Sequence, residues 1–249
     1  DMIATADNLA RRYGLSRETV DAYACASHQR AFAAQQAGWL APEIIDVGPQ
    51  IFELEGYQSR SIRLARGVDS VSEDSHPRHG NFAALARLRA VHEGGVQTAG
   101  NSCAVVDGAA AALVGSASAS RNTPLALLRA SAVVGVAPEF MGIGPAPAIR
   151  LLVQRSGLSL DQIDRFEINE AQAAQVLAVA QELALDCTRL NVRGGSLALG
   201  HPLAASGLRL VLTLSRQLRE HNLRYGIAAA CVGGGQGMAL LIENPSWRA

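Results

Sequence analysis

The sequence predicts an α/β protein in which a mostly helical region precedes a layered α/β/α domain. Apolar residues recur at helical spacing through residues 1–40. From about residue 124, segments of strand length alternate with helical segments, which is the pattern of a layered α/β domain. The composition is 49% hydrophobic and 18% charged with 24 Gly, which is typical of a globular chain that can bury a sizeable core.

The first half of the chain contains predicted helices separated by irregular stretches. Ser16 is the predicted N-cap of a helix that ends near Gly38. Residues 41–80 mix short β-like pieces with polar stretches, and a helical pattern returns over 82–92. The small-residue run 109–114 predicts a tightly packed strand or a buried helix.

The second half has the clearest alternation. Its predicted elements are a strand over 125–136, a helix over 146–156, a capping box over 159–162, a strand over 166–169, a helix over 171–184, an extended stretch over 190–199, a helix over 202–221 and two strands joined by a glycine turn over 226–242.

Charge and residue usage exclude several classes of function. The formal net charge is zero, so a broad nucleic-acid surface is not expected. All 22 basic residues are Arg, which excludes a lysine Schiff base and a P-loop lysine within these residues. The four widely spaced cysteines form no CxxC pair, so we expect no metal site, no disulfide framework and a reducing, cytoplasmic setting. No apolar run reaches the length of a membrane span.

The segment Gly194-Gly-Ser-Leu-Ala-Leu-Gly-His-Pro-Leu-Ala-Ala-Ser-Gly207 contains the first candidate catalytic residue. Proline favours the first helical position, so Pro202 makes His201 the predicted N-cap. The positive end of the helix dipole disfavours an imidazolium there, which predicts a neutral histidine able to act as a base. A histidine that only caps a well-packed helix explains the pattern equally well.

The segment Ala228-Ala-Ala-Cys-Val-Gly-Gly-Gly-Gln-Gly237 places Cys231 at the end of an apolar strand, directly before three glycines. The backbone N–H groups of such a turn can hold a developing oxyanion, and a thiol beside it is a candidate proton donor or nucleophile. Taken alone, a cysteine in an apolar strand is more often inert packing.

A third segment, Glu167-Ile-Asn-Glu-Ala-Gln172, is a predicted strand that ends in polar residues where a helix begins. Asn169 could cap that helix or hold a water for catalysis, and capping is the more common role.

Together these segments resemble the signatures of the thiolase family. The three C-terminal motifs of that family are similar to Asn169-Glu-Ala171, Gly195-Ser-Leu-Ala-Leu-Gly-His-Pro202 and Cys231-Val-Gly-Gly-Gly-Gln-Gly237, which occur in the same order. Met141-Gly-Ile-Gly-Pro145 and Thr98-Ala-Gly-Asn101 also fit. The resemblance covers essentially the whole chain and corresponds to the C-terminal two-thirds of a thiolase.

The resemblance implies an acyl-CoA C-acyltransferase. Such an enzyme cleaves 3-ketoacyl-CoA with free CoA or runs the reverse Claisen condensation, with CoA and acyl-CoA as substrates and no permanently bound cofactor. His201 would activate the nucleophile, and Cys231 would be the second acid/base. Asn169 would hold a water that stabilises the enolate oxygen together with His201, and the Gly233 N–H would contribute to the other oxyanion hole.

The resemblance also implies a domain organisation. Residues 1–104 would form the mostly helical CoA-binding loop domain, residues 105–123 a returning segment of the N-terminal thiolase domain, and residues 124–249 the C-terminal thiolase domain. The residues expected to contact CoA are Arg78, Ser102, Cys103, Ala104 and Met141; no metal ligands are expected.

The family's nucleophilic cysteine has no counterpart among these residues. It lies in an N-terminal domain ahead of the motifs above, and neither Cys25 nor Cys187 has its context. The resemblance therefore implies that a missing N-terminal segment or a partner chain supplies it. We expect a hetero-oligomer, as a dimer or tetramer, in cytoplasmic lipid metabolism.

Two departures from the family pattern leave other functions open. Gln172 stands where the family usually has an aromatic residue, which predicts a more polar acyl pocket, and Cys103-Ala104 replace a common Ser-Gly pair. A non-catalytic thiolase-like scaffold and a related biosynthetic condensing or acyl-transfer enzyme are the alternatives. The intact His201, Cys231 and Asn169 favour catalysis, because a scaffold needs none of them.

Overall fold

The computed structural model describes residues 1–49, 55–56, 64–116 and 123–248. The helices are α1 (Met2–Tyr13), α2 (Arg17–Gln36), α3 (Phe82–Ala86), α4 (Pro145–Ser156), α5 (Ala173–Leu183), α6 (Ser196–Leu199) and α7 (Ser206–Glu220). The strands are β1 (Leu127–Gly135), β2 (Arg165–Ile168), β3 (Tyr225–Val232) and β4 (Gln236–Glu243). Short 3₁₀ segments cover Ala41–Glu43, Pro138–Ile143, Leu160–Gln162 and Cys187–Arg189.

The first region is helical as predicted, and Ser16 caps α2. The Ser16 hydroxyl accepts a hydrogen bond from the Thr19 N–H at 3.1 Å, which satisfies one of the free donors at the helix start. Across the described residues, no helix is long and apolar enough to cross a membrane.

The helix predicted over 82–92 is shorter than expected. It ends at Ala86, and the Arg17 guanidinium donates to the carbonyls of Leu85 and Leu88 at 2.8 and 2.9 Å. This side chain from α2 therefore satisfies two carbonyls at and just beyond the end of α3, which helps the segment to leave the helix there.

Two other predicted elements differ from the structure. The β-like piece after residue 43 forms a single bridge, in which Val47 and Val71 exchange backbone hydrogen bonds of 2.9 and 2.8 Å. Residues 109–114 form neither a strand nor a buried helix, and the Leu113 side chain is fully exposed. The prediction for that run was wrong because small residues indicate close packing only where another element lies against them. The predicted returning segment 105–123 includes residues 117–122, which lie outside the described residues.

The α/β region is built on a sheet whose described strands have the order β1-β4-β3-β2. β2 and β3 are parallel, whereas β3–β4 and β4–β1 are antiparallel. β3 and β4 join through Gly233–Gly235, and Gly234 and Gly235 have φ angles of +89° and +96°, which suit glycine. The predicted two strands with a glycine turn are therefore confirmed.

Helices cover both faces of this sheet, which confirms the predicted layered α/β/α architecture. α4 and α5 pack on one face, where Ile149 and Val176 join Ile227 in the core. α7 packs on the opposite face, where Leu214 contacts the cluster that contains Ala228. Adjacent residues of β3 thus point to opposite layers, as the alternation of a strand requires.

The long helix predicted over 202–221 begins later than expected. The Ala205 and Ser206 N–H groups both bond to the Pro202 carbonyl at 2.9 Å, which makes a turn, and α7 starts at Ser206. The prediction that His201 caps this helix was wrong. His201 precedes the turn, so its properties depend on side-chain contacts and burial instead of the helix start.

Candidate active site

Asn169 lies directly beyond the end of β2, next to β3. Its N–H bonds to the Ala229 carbonyl at 2.8 Å and extends the parallel pairing by one residue. The side chain does not cap α5, whose N-cap is Gln172. Instead Oδ1 accepts from the Ser196 hydroxyl at 2.7 Å, and Nδ2 lies 3.3 Å from His201 Nε2.

His201 is held at both ring nitrogens. Nδ1 lies 2.6 Å from the Ser206 Oγ, and that hydroxyl donates its one hydrogen to the Pro202 carbonyl at 3.0 Å. Ser206 must therefore accept from Nδ1–H. Nε2 is left unprotonated and accepts from the Asn169 amide, so the contacts select one neutral tautomer.

The surroundings of His201 favour this neutral form. Burial lowers the pKa of His201, and the positive charge of Arg209 lowers it further. An imidazole whose Nε2 is unprotonated near neutral pH is available to accept a proton. The predicted neutral histidine is thus present, although the physical cause differs from the predicted one.

Cys231 is the next-to-last residue of β3, two residues beyond the partner of Asn169. Some of its surface remains accessible, but burial raises the pKa of its thiol to about 12. The thiol is therefore protonated at neutral pH and is a proton donor to a strong base such as a carbanion. A thiol of this kind does not act as a spontaneous nucleophile.

The segment that contains Cys103 and Ala104 lies against these residues. The His201 N–H bonds to the Ala104 carbonyl at 2.8 Å, and the Cys103 N–H bonds to the Ala171 carbonyl at 3.1 Å. Burial raises the pKa of the Cys103 thiol to about 11. The fold therefore brings this part of the predicted CoA-contact segment to His201.

A cavity of about 280 Å³ opens beside this segment, and Arg78, predicted to contact CoA, lies in its wall with Ser102 and Ala104. Burial lowers the pKa of His28 in the same wall to about 4, so His28 is neutral there. The other lining residues are His76, His79, Gly80, Asn81, Ala84, Leu85, Ala99, Gly100 and Leu197.

Two predicted site residues lie elsewhere. Met141 is buried in the 3₁₀ turn over Pro138–Ile143 and does not line the cavity. Gly233 lies in the exposed turn after β3, where an added Cβ would be 3.3 Å from the Met2 methyl group. Their roles in CoA binding and in an oxyanion hole stay predictions.

Hydrogen bonds to Glu170 link the helical region to the site. The sequence pattern did not identify Glu170 as a functional residue. Its buried carboxylate accepts from the hydroxyls of Tyr23 and Ser27 at 2.8 and 2.6 Å, from the Asn191 amide at 3.0 Å and from the Leu197 N–H at 3.2 Å. Because the donors come from three separate parts of the chain, namely α2, Asn191 and α6, Glu170 fixes the loop that carries Asn169.

Ser196 and Ser206 were also missed as functional residues. Both bond directly to Asn169 or His201, yet in the sequence they are ordinary small residues in a glycine-rich stretch. Among the described residues, no group of three or more His, Cys, Asp or Glu side chains could hold a metal ion.

The fold and this site define a layered α/β protein in which a neutral histidine contacts an asparagine beyond one strand and a protonated thiol lies near the end of the neighbouring strand. Two family models match it: the C-terminal domain of thiolase over residues 122–244 and the N-terminal domain of thiolase over residues 1–118. The chain belongs to the thiolase family.

Curated proteins of similar sequence include a thiolase and an acetyltransferase. The chain is 46% identical to the beta-ketoadipyl-CoA thiolase of Pseudomonas aeruginosa, and the match covers 98% of the chain and 59% of the relative. It is 43% identical to an acetyl-CoA acetyltransferase of the same organism, over 96% and 59% of the two chains. The chain thus spans about 59% of the length of these curated relatives.

Solved structures agree. The acetyl-CoA acetyltransferase of Bacillus anthracis matches with a TM-score of 0.86 and 38% identity, over 97% of this chain and 59% of that one. Human mitochondrial 3-ketoacyl-CoA thiolase in complex with CoA matches with a TM-score of 0.85 and 36% identity, over 98% and 59%. The predicted thiolase-like fold is confirmed. Because models of both family domains match, the comparisons do not support an N-terminal domain that resides wholly in a separate partner.

Proposed function

We propose that this chain is part of an acyl-CoA C-acyltransferase of the thiolase type. It would bind 3-ketoacyl-CoA and CoA and take part in thiolytic cleavage or in the reverse Claisen condensation. The observation that carries this proposal is the His201 ring, whose Nδ1–H is bound by Ser206 and whose free Nε2 faces the Asn169 amide at 3.3 Å.

In the cleavage direction, His201 Nε2 accepts the proton of a cysteine thiol, and the thiolate attacks the 3-keto carbon. The C2–C3 bond breaks, and its electron pair passes to the enolate of acetyl-CoA. The Cys231 thiol protonates the enolate carbon, for which its raised pKa of about 12 is well suited. CoA then attacks the remaining thioester, and its thiol proton passes to the Cys231 thiolate. The departing cysteine thiolate takes back the proton held by His201, and the shortened acyl-CoA is released.

The enolate oxygen needs a donor site while the negative charge exists. Two neighbouring groups can donate hydrogen bonds to that oxygen, directly or through a water. They are the Asn169 amide Nδ2 and His201 Nε2 once it has received its proton. The Ser102–Ala104 segment and the cavity beside it are suited to the pantetheine arm, and Arg78 to a phosphate.

The attacking thiol is best assigned to a cysteine outside these 249 residues, on the same polypeptide or on a partner. Burial raises the pKa of the Cys103 thiol to about 11 and that of the Cys231 thiol to about 12, so both are poor proton donors to a histidine. Cys25 is buried in α2 against Gly80, and Cys187 lies on the exposed turn after α5. A hetero-oligomer, a cytoplasmic location and a role in lipid metabolism are part of the same proposal.

Turnover with acetoacetyl-CoA and CoA tests this proposal. The enzyme that contains this chain should form acetyl-CoA, measured by chromatography, and iodoacetamide should alkylate a cysteine other than the four named here. A Cys187→Ser variant is the matched control and should keep the wild-type rate. Absence of both turnover and alkylation would favour the non-catalytic scaffold, and activity with an acyl chain of another class would favour a biosynthetic condensing enzyme.

A further inference from the structure

A group of polar side chains directly behind Asn169 has no part in the chemistry described above. Arg209 lies in the first turn of α7, and its guanidinium donates to the Ser196 Oγ at 3.3 Å. Ser196 in turn donates to Asn169 Oδ1 at 2.7 Å. Arg209 is 20% exposed at its side chain, so this contact is largely shielded from water.

The direction of these hydrogen bonds follows from the chemistry of arginine. A guanidinium only donates, so the Ser196 oxygen must accept from Arg209 and keep its single hydrogen for another partner. That hydrogen reaches Asn169 Oδ1, which leaves the Asn169 amide nitrogen as the atom that faces His201 Nε2. Without the arginine, the Ser196 hydroxyl can equally accept from the asparagine amide, and the carboxamide is free to turn over.

The orientation of that carboxamide matters for the base. An amide N–H at 3.3 Å from His201 Nε2 requires an unprotonated nitrogen, whereas a carbonyl oxygen in its place favours a protonated one. A reversed Asn169 therefore removes the lone pair that accepts the proton of the attacking thiol.

Arg209 also supplies the positive charge of this region. Its Nη1 lies 3.7 Å from Glu167 Oε2, and neither atom has a hydrogen bond to a described residue. Burial raises the pKa of Glu167 to about 8, so near neutral pH that carboxyl is mostly protonated and does not neutralise the arginine charge. Glu43 and Asp74 also face Arg209, and Glu170 lies near Glu167.

We infer that Arg209 is a positioning residue: through the Ser196 hydroxyl it orients the Asn169 carboxamide so that His201 Nε2 stays unprotonated. The catalytic consequence rests on the proposed thiolase function. The predicted tautomer does not rest on that function, because it can be measured in the resting protein.

Histidine tautomers are read directly by long-range ¹H–¹⁵N correlation spectra of protein labelled in its histidine rings. The His201 signals are those lost in a His201→Asn variant. In the wild-type protein we expect one tautomer, with Nδ1 protonated and Nε2 unprotonated. In Arg209→Met, which keeps the length and removes the donor, a reversed Asn169 carboxamide favours Nε2–H, and the Ser206 hydroxyl can turn from the Pro202 carbonyl to donate to Nδ1. We therefore expect both tautomers and a rise in the pKa of His201. Arg209→Lys, a residue that also only donates, should restore the single tautomer.

Kinetics of the assembled enzyme give the second readout. Arg209→Met should lower kcat about tenfold with KM changed by less than about twofold, on the scale of one charge-assisted hydrogen bond. Arg216→Met is the matched control on the same helix. Its guanidinium binds the Trp39 carbonyl and Glu43, and it should leave the His201 spectrum and kcat unchanged.

Ser196→Ala interrupts the same hydrogen-bond chain while it keeps the arginine charge, and it replaces Arg209→Met if that variant does not fold. Mixed tautomers in Ser196→Ala support the inference. A single Nδ1–H tautomer in a folded Arg209→Met or Ser196→Ala protein overturns it, even if the enzyme cleaves acetoacetyl-CoA. A tautomer change in an enzyme without thiolysis activity instead refutes the proposed function and leaves the inference intact.

Discussion

Replacing Glu167 by Gln should make the stability of the protein less dependent on pH. Glu167 is fully buried in β2, one side of its carboxyl accepts from the Gln217 amide at 2.8 Å, and the other faces Arg209 at 3.7 Å without a hydrogen bond. Burial is the largest cause of its raised pKa, and Arg209 opposes that rise only in part. Gln has nearly the shape of the protonated carboxyl and carries no charge at any pH.

The magnitude follows from the pKa, which rises from 4.5 to about 8 on folding. A group with a raised pKa contributes its full stability below the unfolded-state pKa and loses that contribution as the pH rises through the folded-state pKa. The affected window is therefore about pH 4.5 to 8. At pH 7 the wild-type protein has lost roughly 3 kcal/mol that Glu167→Gln does not lose, at about 1.4 kcal/mol per pH unit.

Urea unfolding at pH 5, 6 and 7 measures this difference. The free energy of unfolding of Glu167→Gln should exceed the wild-type value by an amount that grows about 1.4 kcal/mol per pH unit. Other titrating groups are common to both proteins and cancel. Glu93→Gln, at an exposed carboxyl, is the control and should give a constant difference. Parallel curves for wild type and Glu167→Gln would show that Glu167 is charged in the folded protein and would refute the reasoning.

Three further changes test other contacts of the site. Ser206→Ala removes the acceptor for His201 Nδ1. It should lower kcat for thiolysis about tenfold, which is the scale of a lost hydrogen bond that fixes a tautomer. An unchanged kcat would show that the tautomer does not depend on Ser206. Gln172→Phe replaces a buried amide whose Oε1 accepts no hydrogen bond from a described residue. It should raise kcat/KM for longer apolar 3-ketoacyl chains relative to polar ones. A shift of kcat/KM in favour of polar chains would contradict this. Gly195→Ala places a Cβ 2.5 Å from the Glu170 carboxylate and should cost about 1–3 kcal/mol in urea unfolding. Gly207→Ala, with no atom within 4 Å of the added Cβ, is its control, and equal losses in the two variants would contradict the steric account.

The sequence predicted the residues whose roles depend on local pattern. The sequence predicted that Cys231 lies near the end of an apolar strand before a glycine turn and that Asn169 lies at the end of another strand. The structure pairs these two strands in parallel and so brings their ends together. The layered architecture was likewise predicted from the alternation of strands and helices along the chain. These features depend on periodicity and on turn chemistry, which are local properties of the chain.

The other half of the site could not be predicted, because it depends on contacts between distant segments. Pro202 is typical of a helix start, but its carbonyl accepts two N–H groups in a turn, and the helix begins at Ser206. Arg209 looks like an ordinary surface residue of an amphipathic helix until Ser196, 13 residues earlier, is seen beside it. The Glu170 carboxylate accepts hydrogen bonds from two hydroxyls that lie more than 140 positions earlier in the chain. No pattern within one segment reveals such contacts.

His201 and Cys231 form the proposed acid/base pair of an acyl-CoA thiolysis site. The most direct test of this assignment is the kcat for acetoacetyl-CoA cleavage by the enzyme with His201→Asn and with Cys231→Ser, each compared with the wild type after circular dichroism shows normal folding. We predict losses of about 10²–10⁴-fold in each variant, the range expected for removal of a general acid or base. A folded His201→Asn or Cys231→Ser enzyme that cleaves acetoacetyl-CoA at the wild-type rate would contradict the assignment.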